Sequence, residues 1–204
     1  MKFDRVLWFG AWPMHVALAM IAGGHLLGIY TLGTQFTYLG VTAEQSVVAS
    51  EFLGAFFGWV VFAGLIYLLI RRIIFPNVRA ISAPSDYLHL ILLLTITGIG
   101  NYMRLVPAVQ CTYEEARLFI GGLITFNWAP LPESAFFFWH FFAVQVLMII
   151  FPFSKLMHSF GMLWERWIIN RPFKEWPIGM PGTQKPLSRD YSGQDGGRRL
   201  VVGG

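Results

Sequence analysis

The sequence predicts an all-α integral membrane protein, built as a bundle of four transmembrane helices. Of its 204 residues, 55% are hydrophobic and only 13% are charged, and the mean hydropathy is +0.56. Soluble domains carry about 25% charged residues, so this composition is typical of a membrane protein. Four apolar segments are long enough to cross a hydrocarbon core about 30 Å thick, which takes about 20 helical residues.

The four predicted spans follow one another with polar or glycine-rich connections between them. The first covers residues 6–31, and we expect it to be retained because it is too long for the apolar region of a signal peptide. The second covers residues 52–70, the third 86–105 and the fourth 134–160. Asp86 suits the start of the third helix, where a capping side chain is favourable.

The connections are predicted to lie outside the hydrocarbon core. Residues 32–48 form a loop that is rich in Gly, Thr and Gln and has no Lys or Arg. The apolar piece 118–129 is too short to cross the bilayer, so we expect it to be interfacial or re-entrant. The sequence thus predicts a transmembrane domain over residues 1–160 and a polar cytoplasmic tail over residues 161–204.

The distribution of basic residues predicts the orientation in the cell membrane of a prokaryote. Four spans place both termini on one side, and of the 15 Lys and Arg residues only Arg104 and Arg117 fall on the other side. The positive-inside rule therefore places both termini in the cytoplasm. This asymmetry also accounts for the pI near 9.4, so we expect the bilayer as a partner and no nucleic acid.

The chain has a single cysteine, Cys111. A disulfide framework, a covalent haem attachment motif and an iron–sulfur cluster each need more cysteines than this chain supplies. Any haem would therefore be held by side-chain ligation alone.

Histidines occur in pairs in the first and fourth spans. His15 and His25 are 10 positions apart, about 15 Å along a helix; His140 and His158 are 18 apart, which is five turns, about 27 Å and the same helix face. We expect helix tilt and a kink at Pro152 to absorb this difference in length. Because the two helices run antiparallel, His25 should match His140 on the outer side and His15 should match His158 on the inner side. Intramembrane histidines also hydrogen-bond across helices, but four at matching depths favour two bis-histidine haems between the first and fourth helices.

Two imidazoles fill both axial positions of a haem iron, so such a site transfers electrons and binds no substrate at the metal. No catalytic residue is assigned. The small residues Gly23 and Gly24 would let a flat macrocycle approach the backbone beside a ligand. His89 has no matching partner and is interpreted as a packed histidine or a donor near a propionate. Arg104 is interpreted as a contact of the outer haem's propionates or of a quinone.

Three motifs lie within residues 6–160. They are His15-x9-His25-Leu-Leu-Gly28, then Arg71-Arg72-x3-Pro76-x-Val78-Arg79-Ala80 followed by Asp86, and His140-x17-His158. Together they resemble the gamma subunit of membrane-bound respiratory nitrate reductase and its relatives linked to dissimilatory sulfite reductase. Residues 100–104 and 154–158 are more similar to the sulfite-reductase-linked branch.

The resemblance implies a dihaem cytochrome b, which is an electron-transfer subunit of an oxidoreductase complex with two haem b groups. It implies that electrons pass from menaquinol to an iron–sulfur subunit on the cytoplasmic face, similar to that of heterodisulfide reductase in the sulfite-linked branch. His25 and His140 would hold the outer haem, and His15 and His158 the inner one. The implied quinol contacts are Gly24, His25, Gln45 and Arg104; the family carries a lysine where this chain has Glu44-Gln45-Ser46.

Two other classes are compatible with an apolar chain of this size. A histidine-box metalloenzyme needs histidines clustered at short spacing, and no two here are closer than 10 positions. A haem-free membrane anchor or transporter subunit is the main alternative. A transporter would usually show internal repeats or helices broken near mid-membrane, whereas these histidines lie towards the edges.

Overall fold

The structure is a computed structural model that describes residues 5–169, and this part of the chain contains helices and connections but no β-strand. Four segments within it have the length and composition to cross a membrane, which confirms the predicted number of spans: residues 7–31, 43–74, 84–105 and 135–153. The helices are α1 (Arg5–Thr31), α2 (Ala43–Ile74), α3 (Pro76–Ala80), α4 (Pro84–Leu105), α5 (Tyr113–Thr125), α6 (Ala135–Ile150) and α7 (His158–Ile169).

The chain divides into two compact units, Met1–Lys155 and Leu156–Gly204. The first unit contains α1 to α6. Of the second unit, the structure describes α7, in which the rings of Trp164 and Trp167 lie 5.0 Å apart between centroids. Most of the predicted cytoplasmic tail, from residue 170 onwards, lies outside the described residues.

The fourth helix, predicted over residues 134–160 with a kink at Pro152, is shorter than predicted, because the chain leaves the α-helix there and does not only bend. Helix α6 ends at Ile150 and is followed by two short 3-10 turns, Phe151–Phe153 and Lys155–Met157. Pro152 explains the break, because proline has no backbone N–H and its ring clashes with the carbonyl four residues earlier. His140 and His158 therefore do not share a helix face, and the separation of about 27 Å along one axis does not apply.

Two other helices are each capped by a threonine: α2, which begins earlier than predicted, and α5, which begins before the apolar piece 118–129. Thr42 accepts a hydrogen bond from the Gln45 backbone N–H and its own N–H donates to the Gln45 side chain, which starts α2 inside the predicted loop. Thr112 and Glu115 form the same reciprocal pair at α5. These bonds hold the pKa of Glu115 below its usual value. The left-handed backbone of Phe126 ends α5.

The membrane helices pack in the order α1, α2, α4, α6, with α5 against α1. Five buried apolar side chains form the core of the bundle: Met14, Ala17, Val61, Leu65 and Leu90. Gly64 lets α1 approach α2, since a Cβ at this position would lie 2.6 Å from the Met14 Cβ. Among the described residues, α1 and α6 do not pack extensively against each other. The series of helices is therefore open between its first and last members.

A buried carboxylate joins the ends of three segments on the predicted cytoplasmic side. Asp86 is only 6% exposed and accepts hydrogen bonds from the Ala83 backbone N–H at the start of α4. Its oxygens also lie 3.2 Å from Arg72 Nη1 at the end of α2 and 3.0 Å from Lys155 Nζ after α6. The sequence predicted only the capping role of this residue.

We expect Asp86→Asn to destabilise the bundle by about 2 kcal/mol, because it removes the carboxylate and leaves two cations facing a neutral amide. The loss should be smaller than for a fully buried pair, since Lys155 is largely solvated. Unfolding of the detergent-solubilised protein measures it, with the exposed Glu133→Gln as the matched control. Equal stability of the two variants would contradict this role of Asp86.

Candidate cofactor site between the first and sixth helices

His25 of α1 and His140 of α6 face each other across the open side of the helix series. Their ring centroids are 6.4 Å apart and their planes are inclined by only 11°. The structure thus brings together the two histidines that antiparallel matching pairs on the predicted outer side. These rings approach each other where their helices do not pack extensively.

Backbone carbonyls fix the orientation of both rings. His25 Nδ1 lies 2.8 Å from the Ile21 carbonyl oxygen in the preceding turn of α1, and His140 Nδ1 lies 3.0 Å from the Ile96 carbonyl oxygen of α4. A carbonyl oxygen can only accept, so each Nδ1 carries the hydrogen, and in the neutral imidazole each Nε2 then keeps its lone pair. Metal-binding histidines usually have this arrangement, in which the second nitrogen donates to a carbonyl or carboxylate.

The separation of the rings fits a metal atom with one imidazole on each side. When two imidazoles bind one metal atom through Nε2 from opposite sides, each contributes a metal–nitrogen bond of about 2.0–2.1 Å and about 1.1 Å from Nε2 to its ring centre, so the centroids lie about 6.3 Å apart. The observed distance is 6.4 Å. Because both Nε2 atoms are acceptors, neither ring can donate to the other through them, whereas a metal accepts both lone pairs.

The donor set also indicates the kind of metal group. Within residues 5–169, no three or more His, Cys, Asp or Glu side chains are grouped so that they could hold a metal ion. Two imidazoles would then be the protein's whole contribution, which fits a metal group that carries further ligands of its own. A haem does so, whereas a histidine-box metal centre does not.

Glycines leave space around the two rings. A Cβ at Gly100 of α4 would lie 3.2 Å from His140 Cε1, so glycine allows α4 to approach this ring closely. At Gly23 and Gly24, directly before His25, a Cβ would meet no protein atom within 4 Å. A flat macrocycle between the histidines is compatible with this backbone.

The four residues assigned to quinol differ in their surroundings. Gly24 and His25 are adjacent on α1, and Arg104 lies close enough to His25 to interact with it electrostatically. Arg104 extends to α2, where its Nη1 lies 3.4 Å from the Glu51 carbonyl oxygen. The Gln45 side chain forms part of the cap of α2, which is a structural role that sequence reasoning missed.

The second histidine pair involves both compact units. His15 lies on α1 with its Nδ1 2.7 Å from the Ala11 carbonyl oxygen, which is the same arrangement as at His25. His158 is the first residue of α7, in the second unit. Its pairing with His15 stays a prediction.

Sequence reasoning missed one buried polar residue near the paired rings. Asn101 of α4 is 6% exposed, and its side-chain nitrogen has no hydrogen-bond partner among the described residues. The sequence does contain a signal for such a residue, because an amide side chain within an otherwise apolar span is costly unless it has a specific role.

Comparisons with known proteins agree with one another. The sequence profile of the nitrate reductase gamma subunit family matches residues 1–172. The Hdr-like menaquinol oxidoreductase cytochrome b-like subunit of Archaeoglobus fulgidus is 31% identical over 171 residues, covering 80% of this chain and 50% of the relative. The chain thus spans about half the length of that archaeal protein.

Two bacterial relatives are covered more completely. The nitrate reductase gamma chain of Bacillus subtilis is 27% identical over 159 residues, covering 75% of this chain and 71% of the relative. The respiratory nitrate reductase 1 gamma chain of Escherichia coli is 28% identical over 156 residues, covering 72% and 68%. No solved structure matches the chain significantly.

We expect Gly100→Val to lower the haem content of the purified protein at least twofold, because added side-chain atoms would displace the His140 ring. Gly121→Val is the matched control: this glycine is also helical, and a Cβ there meets nothing within 4 Å. Haem per chain, measured as the pyridine complex, distinguishes the two. A normal haem content in Gly100→Val would show that space at His140 is not required.

Proposed function

Because the chain belongs to the nitrate reductase gamma subunit family, we propose that it is a dihaem cytochrome b subunit of a membrane-bound respiratory complex. The observation that carries this proposal is the facing of His25 and His140 with both Nδ1 atoms held by carbonyls. These two residues would hold the outer haem, and His15 and His158 the inner one. Each bound haem would supply a one-electron Fe(III)/Fe(II) couple.

The chain's own residues would orient the ligands and shield the site. The Ile21 and Ile96 carbonyls would keep the imidazoles in the metal-binding tautomer and make Nε2 more basic. Apolar side chains of the membrane helices would keep water from the ligands, and this lowers the local dielectric in which electrons move. With two histidines holding each haem, the chemistry supplied at the iron would be electron transfer and not substrate binding.

Menaquinol is the proposed electron donor, because the archaeal relative is a subunit of a menaquinol oxidoreductase. It would bind on the outer side near Gly24, His25 and Gln45. The proposed acceptor is an iron–sulfur subunit on the cytoplasmic face. The higher identity of the archaeal relative, and the larger share of this chain that it matches, favour a heterodisulfide-reductase-like partner over a nitrate reductase.

The alternative, a haem-free anchor or transporter subunit, is less well supported. Its intramembrane histidines would be expected to hydrogen-bond across helices. His140 does so, because its Nδ1 donates to the Ile96 carbonyl of α4, whereas His25 donates within its own helix; the Nε2 atoms of both rings are left as acceptors. A shared metal accounts for this arrangement, and an anchor role does not.

Single histidine substitutions test the proposed ligands. In the reduced-minus-oxidised spectrum, His25→Ala and His140→Ala should each lower haem b from two per chain to about one, with loss of the same component. His15→Ala and His158→Ala should remove the other component. His89→Ala is the control and should keep both. A wild-type protein without b-type bands, purified from cells supplied with haem, would refute the proposal.

The single cysteine tests the proposed orientation, in which Cys111 lies on the outer side and the termini in the cytoplasm. Burial and the neighbouring Glu115 carboxylate raise the pKa of the Cys111 thiol to about 11, so it is protonated at neutral pH. A maleimide that cannot cross the membrane should label the protein in spheroplasts slowly at neutral pH. The labelling rate should rise about tenfold for each unit of added pH, as long as the pH stays below that pKa. Cys111→Ser should remain unlabelled. If only inverted vesicles are labelled, Cys111 lies on the cytoplasmic side and the proposed orientation is wrong.

A further inference from the structure

A buried amide donor without a partner lies one residue from the glycine that contacts His140. Asn101 of α4 is 6% exposed, and its Oδ1 atom lies against Gly58 of α2, where any side chain would collide with it. Its Nδ2 atom has no hydrogen-bond partner within the described part of the chain. An unpaired buried donor costs about 1–3 kcal/mol, so this nitrogen should have an acceptor that is not one of these residues.

A cation lies one helical turn further along the same face of α4. Arg104 is half-buried against α2, where a Cβ at Gly54 would lie 2.6 Å from the guanidinium carbon. The only hydrogen bond that its guanidinium makes to a described residue is a long one, 3.4 Å, to the Glu51 carbonyl oxygen. The described part of the chain contains no ion pair to Arg104. A guanidinium has five donors, so most of this group's donor capacity is unused.

The two donors lie beside the paired histidines. Gly100, which precedes Asn101, contacts His140, and Arg104 lies within electrostatic range of His25. Along α4, Asn101 is about 7.5 Å and Arg104 about 12 Å beyond Ile96, whose carbonyl orients His140. Both donors therefore flank the ring pair on its predicted outer side. Gly54 and Gly58 of α2 provide the room for them.

We propose that Asn101 and Arg104 together bind a propionate carboxylate of the haem held by His25 and His140, an inference that rests on the proposed function. A carboxylate has two acceptor oxygens, enough for an amide N–H and a guanidinium at once, and arginine binds carboxylates in a fork geometry. A buried carboxylate also requires a counter-charge, which Arg104 supplies. A quinone carbonyl could accept from Asn101 but would leave the guanidinium charge uncompensated.

The donor pair has a consequence for electron transfer. Reduction adds one electron to the haem, and a nearby positive charge and a neutralised propionate both favour the reduced form. Removing either donor should therefore lower the midpoint potential of the outer haem. Asn101 and Arg104 are thus positioning and tuning residues; the iron ligands remain the two histidines.

Potentiometric titration of the purified dihaem protein tests the proposal. In Asn101→Ala and Arg104→Gln, the equilibrium constant for reduction of the outer haem should fall at least threefold. This fall corresponds to about 28 mV at 59 mV per tenfold for one electron. The inner haem should keep its potential, and haem content should match the wild type. The loss of either donor should also raise the pKa of the propionate. This rise would be seen as a shift to higher pH in the pH dependence of the outer haem's potential.

Two control variants isolate the effect. Thr97→Val alters the turn before Asn101, where the hydroxyl already donates to the Leu93 carbonyl oxygen. Arg117→Gln removes an exposed cation of α5 on the same predicted side of the membrane. Both should leave the two potentials unchanged. Arg104→Lys keeps the charge without the fork, so its shift should be smaller than that of Arg104→Gln.

The outcomes separate this inference from the function on which it rests. If both donor variants bind two haems with unchanged potentials, the proposal that Asn101 and Arg104 bind a propionate is wrong, and the dihaem function stays intact. A raised KM for a menaquinol analogue with unchanged potentials would assign the pair to quinol and also overturn it. Absence of b-type haem from the wild type would refute the function itself.

Discussion

The structure depends above all on how backbone carbonyls hold two imidazoles in the membrane. Nδ1–H of His25 and of His140 each point at a carbonyl oxygen, one in its own helix and one in α4. Both rings therefore present acceptor nitrogens in a part of the bundle where α1 and α6 do not pack extensively. A group that accepts two lone pairs satisfies this arrangement, and a centroid separation of 6.4 Å leaves room for one metal atom.

The rest of the first unit supports this geometry. Helix α4 contributes three features from one stretch: the Ile96 carbonyl that orients His140, the glycine that admits the ring, and the polar pair Asn101 and Arg104. Helix α2 contributes glycines where these side chains approach it. At the other end of the bundle, Asp86 connects α2, α4 and the segment after α6 through Arg72 and Lys155. The position of α6, and with it His140, is thus supported at both ends of the span.

Much of this could be predicted from composition and spacing, because a membrane limits the possible architectures. The number of spans and the pairing of His25 with His140 follow from hydropathy and antiparallel order. A kink at Pro152 was expected, but the end of α6 was not, because hydropathy continues through the proline although helical hydrogen bonding cannot. The early start of α2 depends on a cap, and polar caps do not register as hydropathy. The unpaired state of Asn101 depends on contacts between helices, which no single sequence displays.

Near-infrared magnetic circular dichroism of the oxidised, purified protein tests the central claim most directly, because the energy of its charge-transfer band identifies both axial ligands of a ferric haem. The account predicts a bis-imidazole signature, and loss of the outer haem's share of it when His140 is replaced by alanine. A signature of histidine with methionine or with an amine at that haem would contradict the account. So would a bis-imidazole signal that remains complete without His140.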